Sequence, residues 1–133
     1  MQINRLDHVN LRTTQLDVMV DWYGDVLGLK PGARPDFPFP GAWLYAGDDA
    51  IIHLIGIVGD PGVGSESALK LEHFAMTATD SASFEARLMA RDIPFKQAHI
   101  AEMGITAFNI WDPDGNHIHV DFTDGVGLTN TSA

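Results

Sequence analysis

Cysteine is absent from the 133-residue chain. Its absence excludes disulfide scaffolds, cysteine zinc sites and thiol catalysis, and leaves the redox compartment open. Basic residues are few: 8 Lys+Arg stand against 18 Asp+Glu, for a net charge of −10. Lys and Arg hold polyanions by neutralising phosphates. An acidic chain with no basic run is therefore not expected to bind nucleic acid or an anionic membrane surface. Long apolar runs are missing as well, since nothing approaches the ~20 residues that span a bilayer. The stretch Met1 to Thr13 also lacks an apolar core of signal-peptide length. The expectation is a cytoplasmic protein. Hydrophobic residues at 45% and charged residues at 20% describe a folded domain rather than a disordered one.

An internal repeat organises what is present. Leu6-Asp7-His8-Val9-Asn10-Leu11-Arg12-Thr13 compares with Leu71-Glu72-His73-Phe74-Ala75-Met76-Thr77-Ala78. The two stretches are 65 residues apart (His8 and His73) and match Leu to Leu, acid to acid and His to His. Between them lies the Gly-rich segment 58–67, read as a linker. A phosphate loop would close on Gly-Lys-Ser/Thr, whereas Gly64 is followed by Ser65-Glu66-Ser67. One domain of two modules is expected, about 3–58 and 69–123, with a polar tail at 123–133.

Each module predicts βαβββ. Leu6 to Thr13 alternates as a strand, with Val9 and Leu11 on one face and His8 and Asn10 on the other. Gln15 to Leu27 follows as a helix, with Leu16, Met19, Val20, Tyr23 and Leu27 inward, Thr14 as N-cap and Gly28 as stop. Strands come next near Lys30 to Gly32, Ala42 to Ala46 and Ala50 to Ile57, the last two joined at Gly47-Asp48-Asp49. The three prolines between Arg34 and Pro40 predict an irregular loop. In the second module a helix is expected over Ser81 to Arg91, capped by Asp80 or Ser81, with Phe84 and Leu88 inward. Strands follow near Phe95 to His99, Gly104 to Trp111 and His117 to Phe122, the last two joined by Asp112-Pro113-Asp114-Gly115-Asn116. The class is α+β.

Four of the six histidines fall at two equivalent places: His8 with His73, and His53 with His119, 66 residues apart. Modules paired about a pseudo-two-fold axis would bring all four to one cavity. Alternation turns His73 away from Phe74 and Met76. It turns His117, His119 and Asp121 away from Ile118, Val120 and Phe122. Converging neutral imidazoles suit Zn, Fe, Ni or Cu. His99 and His117 are read instead as hydrogen-bonded or surface strand residues. Trp43, Tyr45, Phe108 and Trp111 stand open between pocket wall and plain core. Of these, Trp43 and Phe108 are taken as wall beside Asn10 and Asp121, with Phe37 and Phe39 also expected there.

These residues resemble the vicinal oxygen chelate superfamily, the glyoxalase, bleomycin-resistance and extradiol-dioxygenase group. The resemblance rests on Leu6-Asp7-His8-Val9, Trp22-Tyr23-Gly24-Asp25-Val26-Leu27-Gly28-Leu29 and Leu71-Glu72-His73-Phe74. It rests most of all on Asp112-Pro113-Asp114-Gly115-Asn116-His117-Ile118-His119. It covers about residues 3–123 and implies two βαβββ modules forming an open, cupped eight-stranded sheet. It further implies a divalent metal (Zn, Ni, Fe or Mn), a substrate with neighbouring oxygens, and a homodimer. The ligand positions it implies are His8, His53, His73 and His119. His119 departs from the Glu that metal-using relatives carry there, and His53 stands where Glu is frequent.

The activity so implied is a metal-dependent, glyoxalase-like lyase or isomerase. An extradiol-type dioxygenase and a metal-free drug-binding protein are the alternatives. His53 or His119, if not bound to metal, is the expected base, since imidazole titrates near neutral pH. Asp121 is read as facing substrate. Loss of metal on replacing His8 or His73, and indifference to replacing His117, are the matching expectations.

Overall fold

The computed structural model describes residues 1–59 and 70–123, and most of the linker and nearly all of the tail lie outside these. The chain divides into two compact units, Met1–Ser67 and Ala68–Ala133. Each is a βαβββ module with one helix and one mixed four-stranded sheet. Among the described residues no helix is long and apolar enough to cross a membrane.

The first unit runs β1 (Val9–Thr13), α1 (Leu16–Leu27), β2 (Lys30–Pro31), β3 (Gly41–Ala46) and β4 (Asp49–Gly56). Its sheet order is β1-β4-β3-β2, with β1 parallel to β4 and the other pairs antiparallel. The helix buries Met19, Tyr23 and Val26. Leu44, Ile52 and Leu54 are buried in the strands beside it. The expected stripe was therefore right at Met19 and Tyr23. Leu16, Val20 and Leu27 are only half-buried, because the buried row runs Met19, Tyr23, Val26 at spacings of four and three. The N-cap is Gln15 rather than Thr14 and makes no side-chain cap bond. Its N–H is taken by the Thr13 hydroxyl at 3.0 Å. Gly28 ends the helix in the left-handed region at φ 71°, as expected of a glycine there.

The second unit repeats the plan with β5 (Phe74–Thr77), α2 (Ser81–Ala90), β6 (Lys96–Ile100), β7 (Ile105–Trp111) and β8 (His117–Phe122), in sheet order β5-β8-β7-β6. Asp80 caps α2, its carboxylate accepting from Ser83 N at 3.1 Å. Both first strands start later than the alternation suggests. The ladder pairs begin at Val9 and Phe74, leaving Leu6 and Leu71 exposed. His8 and His73 thus stand just ahead of their strands.

The turn before β8 is fastened by one buried side chain. Asp112 Oδ1 accepts from the backbone N–H of Asp114 and of Asn116, each at 2.9 Å, and Oδ2 accepts from Asn116 Nδ2 at 2.9 Å. Gly115, at φ 86°, supplies the left-handed step. This turn sets where β8 begins and so which residues take the outward positions. Asp112→Ala is expected to cost about 2 kcal/mol, through donors left without partners. Urea unfolding with an unchanged m-value is the check.

Candidate metal centre

Strand β8 alternates strictly: Ile118, Val120 and Phe122 are buried, and His117, His119 and Asp121 take the other face. The ladder sets Trp111 beside His117, Asn109 beside His119 and Ala107 beside Asp121. On the opposite flank Ala75 pairs with His119, which brings His73, two residues earlier, alongside. The rings of His73 and His119 stack at 3.8 Å and 5°. His117 lies 4.8 Å from His119 and 5.4 Å from His73, and stacks on Trp111 at 4.9 Å. Ligating atoms of His73, His117 and His119 all lie within 4.8 Å of one another. Nitrogens on one zinc at about 2.1 Å are at most about 4.2 Å apart, so small ring rotations close the gap.

Glu72 ties two of these rings together. Its carboxylate accepts from His73 Nδ1 at 2.6 Å and from His117 Nδ1 at 2.7 Å. These two hydrogen bonds hold its carboxyl well below the usual range, at about 2. The arrangement is the carboxylate–histidine pairing that orients metal ligands, and it leaves His73 Nε2 free to coordinate. His117 Nε2 meets Asn109 Oδ1 at 2.9 Å. Asn109 Nδ2 donates to Lys96 O, which fixes the amide with its oxygen toward the ring. Both ring nitrogens of His117 are therefore engaged, and coordination through Nε2 requires the Asn109 bond to open. The His119 ring makes no hydrogen bond among the described residues. Burial lowers its pKa, followed by His73 and His117, which favours the neutral ring that carries a lone pair.

The donor set suits a borderline divalent ion. A second observation agrees with it: Asp121 Oδ1 is buried without a hydrogen-bond partner among the described residues, on the same face as His119. A buried carboxylate oxygen left unpaired is costly, and a bound ion, water or substrate donor would satisfy it.

The first unit carries the equivalent positions with fewer imidazoles. His8 Nδ1 is paired with Asp7 at 2.7 Å, as His73 is with Glu72. His53 is sandwiched between His8 at 3.8 Å and Trp43 at 4.0 Å, both nearly parallel to it. Its Nε2 donates to Ala50 O at 3.2 Å, leaving Nδ1 as acceptor. Burial, then the neighbouring His8, lowers the His53 pKa. A His whose folded pKa lies below its unfolded value binds fewer protons when folded, so stability drops as pH falls through about 6.5. His53→Leu is expected to flatten that acid limb, read as the unfolding midpoint between pH 8 and pH 5 without metal.

Of the expected pocket residues, Trp43 and Asn10 lie with His53 in one row across β3, β4 and β1, and Asp121 shares the His119 face. Phe108 does not face the histidines. It is 1% exposed and packs against Phe84, Phe95 and Phe122 on the helix side of its sheet. The row position beside His117 belongs to Trp111. His99 stands apart on β6, near the Thr106 hydroxyl at 3.4 Å. His117, Glu72, Asn109 and Trp111 are site residues that the sequence pattern alone does not assign there.

The model for the Glyoxalase/Bleomycin resistance protein/Dioxygenase superfamily matches residues 5–120. The chain belongs to that superfamily. It is 28% identical over 125 residues to glyoxylase I 4 of Arabidopsis thaliana, covering 90% of this chain and 71% of that protein. It is 31% identical over 122 residues to biphenyl-2,3-diol 1,2-dioxygenase 3 of Rhodococcus globerulus, covering 87% of this chain and 62% of that one. Among solved structures, lactoylglutathione lyase from Agrobacterium tumefaciens matches with a TM-score of 0.68 at 21% identity, covering 96% of this chain and 99% of that one. A glyoxylase/bleomycin resistance protein/dioxygenase domain from Frankia sp. EAN1pec matches at 0.71 and 18%, covering 91% and 93%. At these identities the structural matches speak for the fold.

Proposed function

We propose that the protein is a divalent-metal-dependent lyase or isomerase of glyoxalase type, acting on a small molecule with adjacent oxygens. The observation that carries this reading is the group His73, His117 and His119 around the Glu72 carboxylate. Those three imidazoles would hold the ion, which when bound supplies Lewis-acid polarisation of a substrate oxygen. Glu72 orients two of the rings, and Asp121 offers its free oxygen to a donor on the bound molecule. His8 and His53 are a second imidazole pair of the same kind, and His53 Nδ1 keeps its lone pair for proton transfer. The 28% likeness to a protein named glyoxylase I supports the reaction class.

The test is metal content after purification without chelator, followed by turnover of the adduct of a 2-oxoaldehyde with a thiol. About one zinc, nickel or manganese per chain with metal-dependent turnover is expected. A metal-free protein that fails to take up any of these ions would end the reading. The 31% likeness to a biphenyl-diol dioxygenase favours one second reading, ring opening of catechols. Oxygen uptake on catechols with ferrous iron would select it.

A further inference from the structure

The His53 face of the first unit's sheet presents a fixed guanidinium beside a run of flat rings. Arg34 Nη2 donates to Phe39 O at 3.0 Å. Its guanidinium carbon lies 5.1 Å from the centres of both the Phe37 and the Phe39 ring. It is seated over Gly41, where an added Cβ would come within 2.8 Å of Nη2. Alternation puts position 41 on the same face as Trp43, and Trp43 pairs with His53 across the ladder. Phe37 and Phe39 are parallel at 5.2 Å, and Phe37 reaches to 6.5 Å from Trp43. The loop that carries them has Pro35, Pro38 and Pro40. It is anchored by Gly32 N to Trp43 O and by Gly56 N to Pro40 O.

Two features are not explained by packing alone. Phe37 and Phe39 are each 40% exposed. Arg34 has no carboxylate partner among the described residues, although the chain has 18 acidic residues. One of its five N–H donors is used by Phe39, and the rest of the fork is available for a planar anion. The prolines and the Gly41 seat hold the fork and rings in place before any ligand arrives, which reduces the ordering cost of binding. We propose that this face binds a planar aromatic anion, its carboxylate on Arg34 and its ring against Phe37 and Trp43. Arg12, by alternation on the same face in the row Arg12–Ile55–Gly41, adds a second, more distant positive charge. The proposal does not rest on the metal centre of the second unit.

The experiment is calorimetric titration of the full chain with 1-naphthoate and with uncharged 1-naphthamide, each with and without EDTA. Saturable binding of one naphthoate is expected, with the amide about tenfold weaker. EDTA is expected to change neither. Arg34→Gln should erase the difference between the two ligands, and Arg34→Lys should restore part of it. Equal affinity for the two ligands, no saturable binding at millimolar concentration, or loss of naphthoate binding in EDTA would each overturn the proposal. So would unchanged naphthoate affinity in a folded Arg34→Gln protein. If that variant does not fold, the wild-type pair of ligands and Arg34→Lys decide alone.

Discussion

Phe108→Ala is expected to lower the unfolding free energy by about 3–5 kcal/mol and to leave ion uptake by the folded protein unchanged. Phe108 is 1% exposed. Its ring meets Phe84 edge-on at 5.4 Å and Phe122 edge-on at 5.4 Å, a geometry that aromatic pairs prefer. Removing it leaves a cavity between α2 and the sheet, and three rings lose their common neighbour. Trp111→Ala is the contrast. Trp111 is 40% exposed and covers one face of His117. Its loss should cost little stability and should alter ion affinity. Urea unfolding of both variants, with zinc titration under native conditions, separates the two roles. A small stability loss together with weakened zinc binding in Phe108→Ala would return that residue to the pocket wall.

The same pair shows what the sequence made legible. The run Phe108-Asn109-Ile110-Trp111 alternates, and Ile110 shares parity with Phe108, so the buried face could be read without coordinates. Phe108 and Trp111 are both large aromatics, and residue type alone does not separate them. The βαβββ plan was legible because each module carries a helix-period stripe and turn residues where positive φ is needed, and the first helix also has a glycine stop. The strand starts at Val9 and Phe74 were not, because an alternating pattern continues past the last ladder pair whether or not a partner strand is there. His73 and His119 were visible through the repeat. Glu72 was visible only as an acid matching Asp7, since a bridge to His117, 45 residues away, depends on the parallel β5–β8 register. The sequence pattern makes His117 a hydrogen-bonded strand residue. It does make such bonds, to Glu72 and Asn109, and it also completes the group of three imidazoles.

His73→Ala, His117→Ala and His119→Ala are each expected to weaken zinc binding by at least about 100-fold. Zinc held by a few protein ligands at about 10–16 kcal/mol derives roughly 3 kcal/mol from each. The His117 variant is the most informative, because alternation places its ring on the site face while its hydrogen bonds satisfy both nitrogens. If His117 coordinates, its loss will match that of His73. If it only braces Glu72, the effect will shrink to the 10–100-fold range of an orienting neighbour. Glu72→Gln separates these outcomes. The amide can accept from one ring but not from both, so affinity is expected to fall about tenfold while all three imidazoles remain. Combining Glu72→Gln with His73→Ala should cost less than the two losses together, because one of the bonds Glu72 makes is already gone. Full zinc affinity in His73→Ala and His119→Ala alike would dismiss the second unit as the metal centre. Full affinity in His117→Ala alone would leave a two-histidine site, with the Asp121 carboxylate on the same strand face.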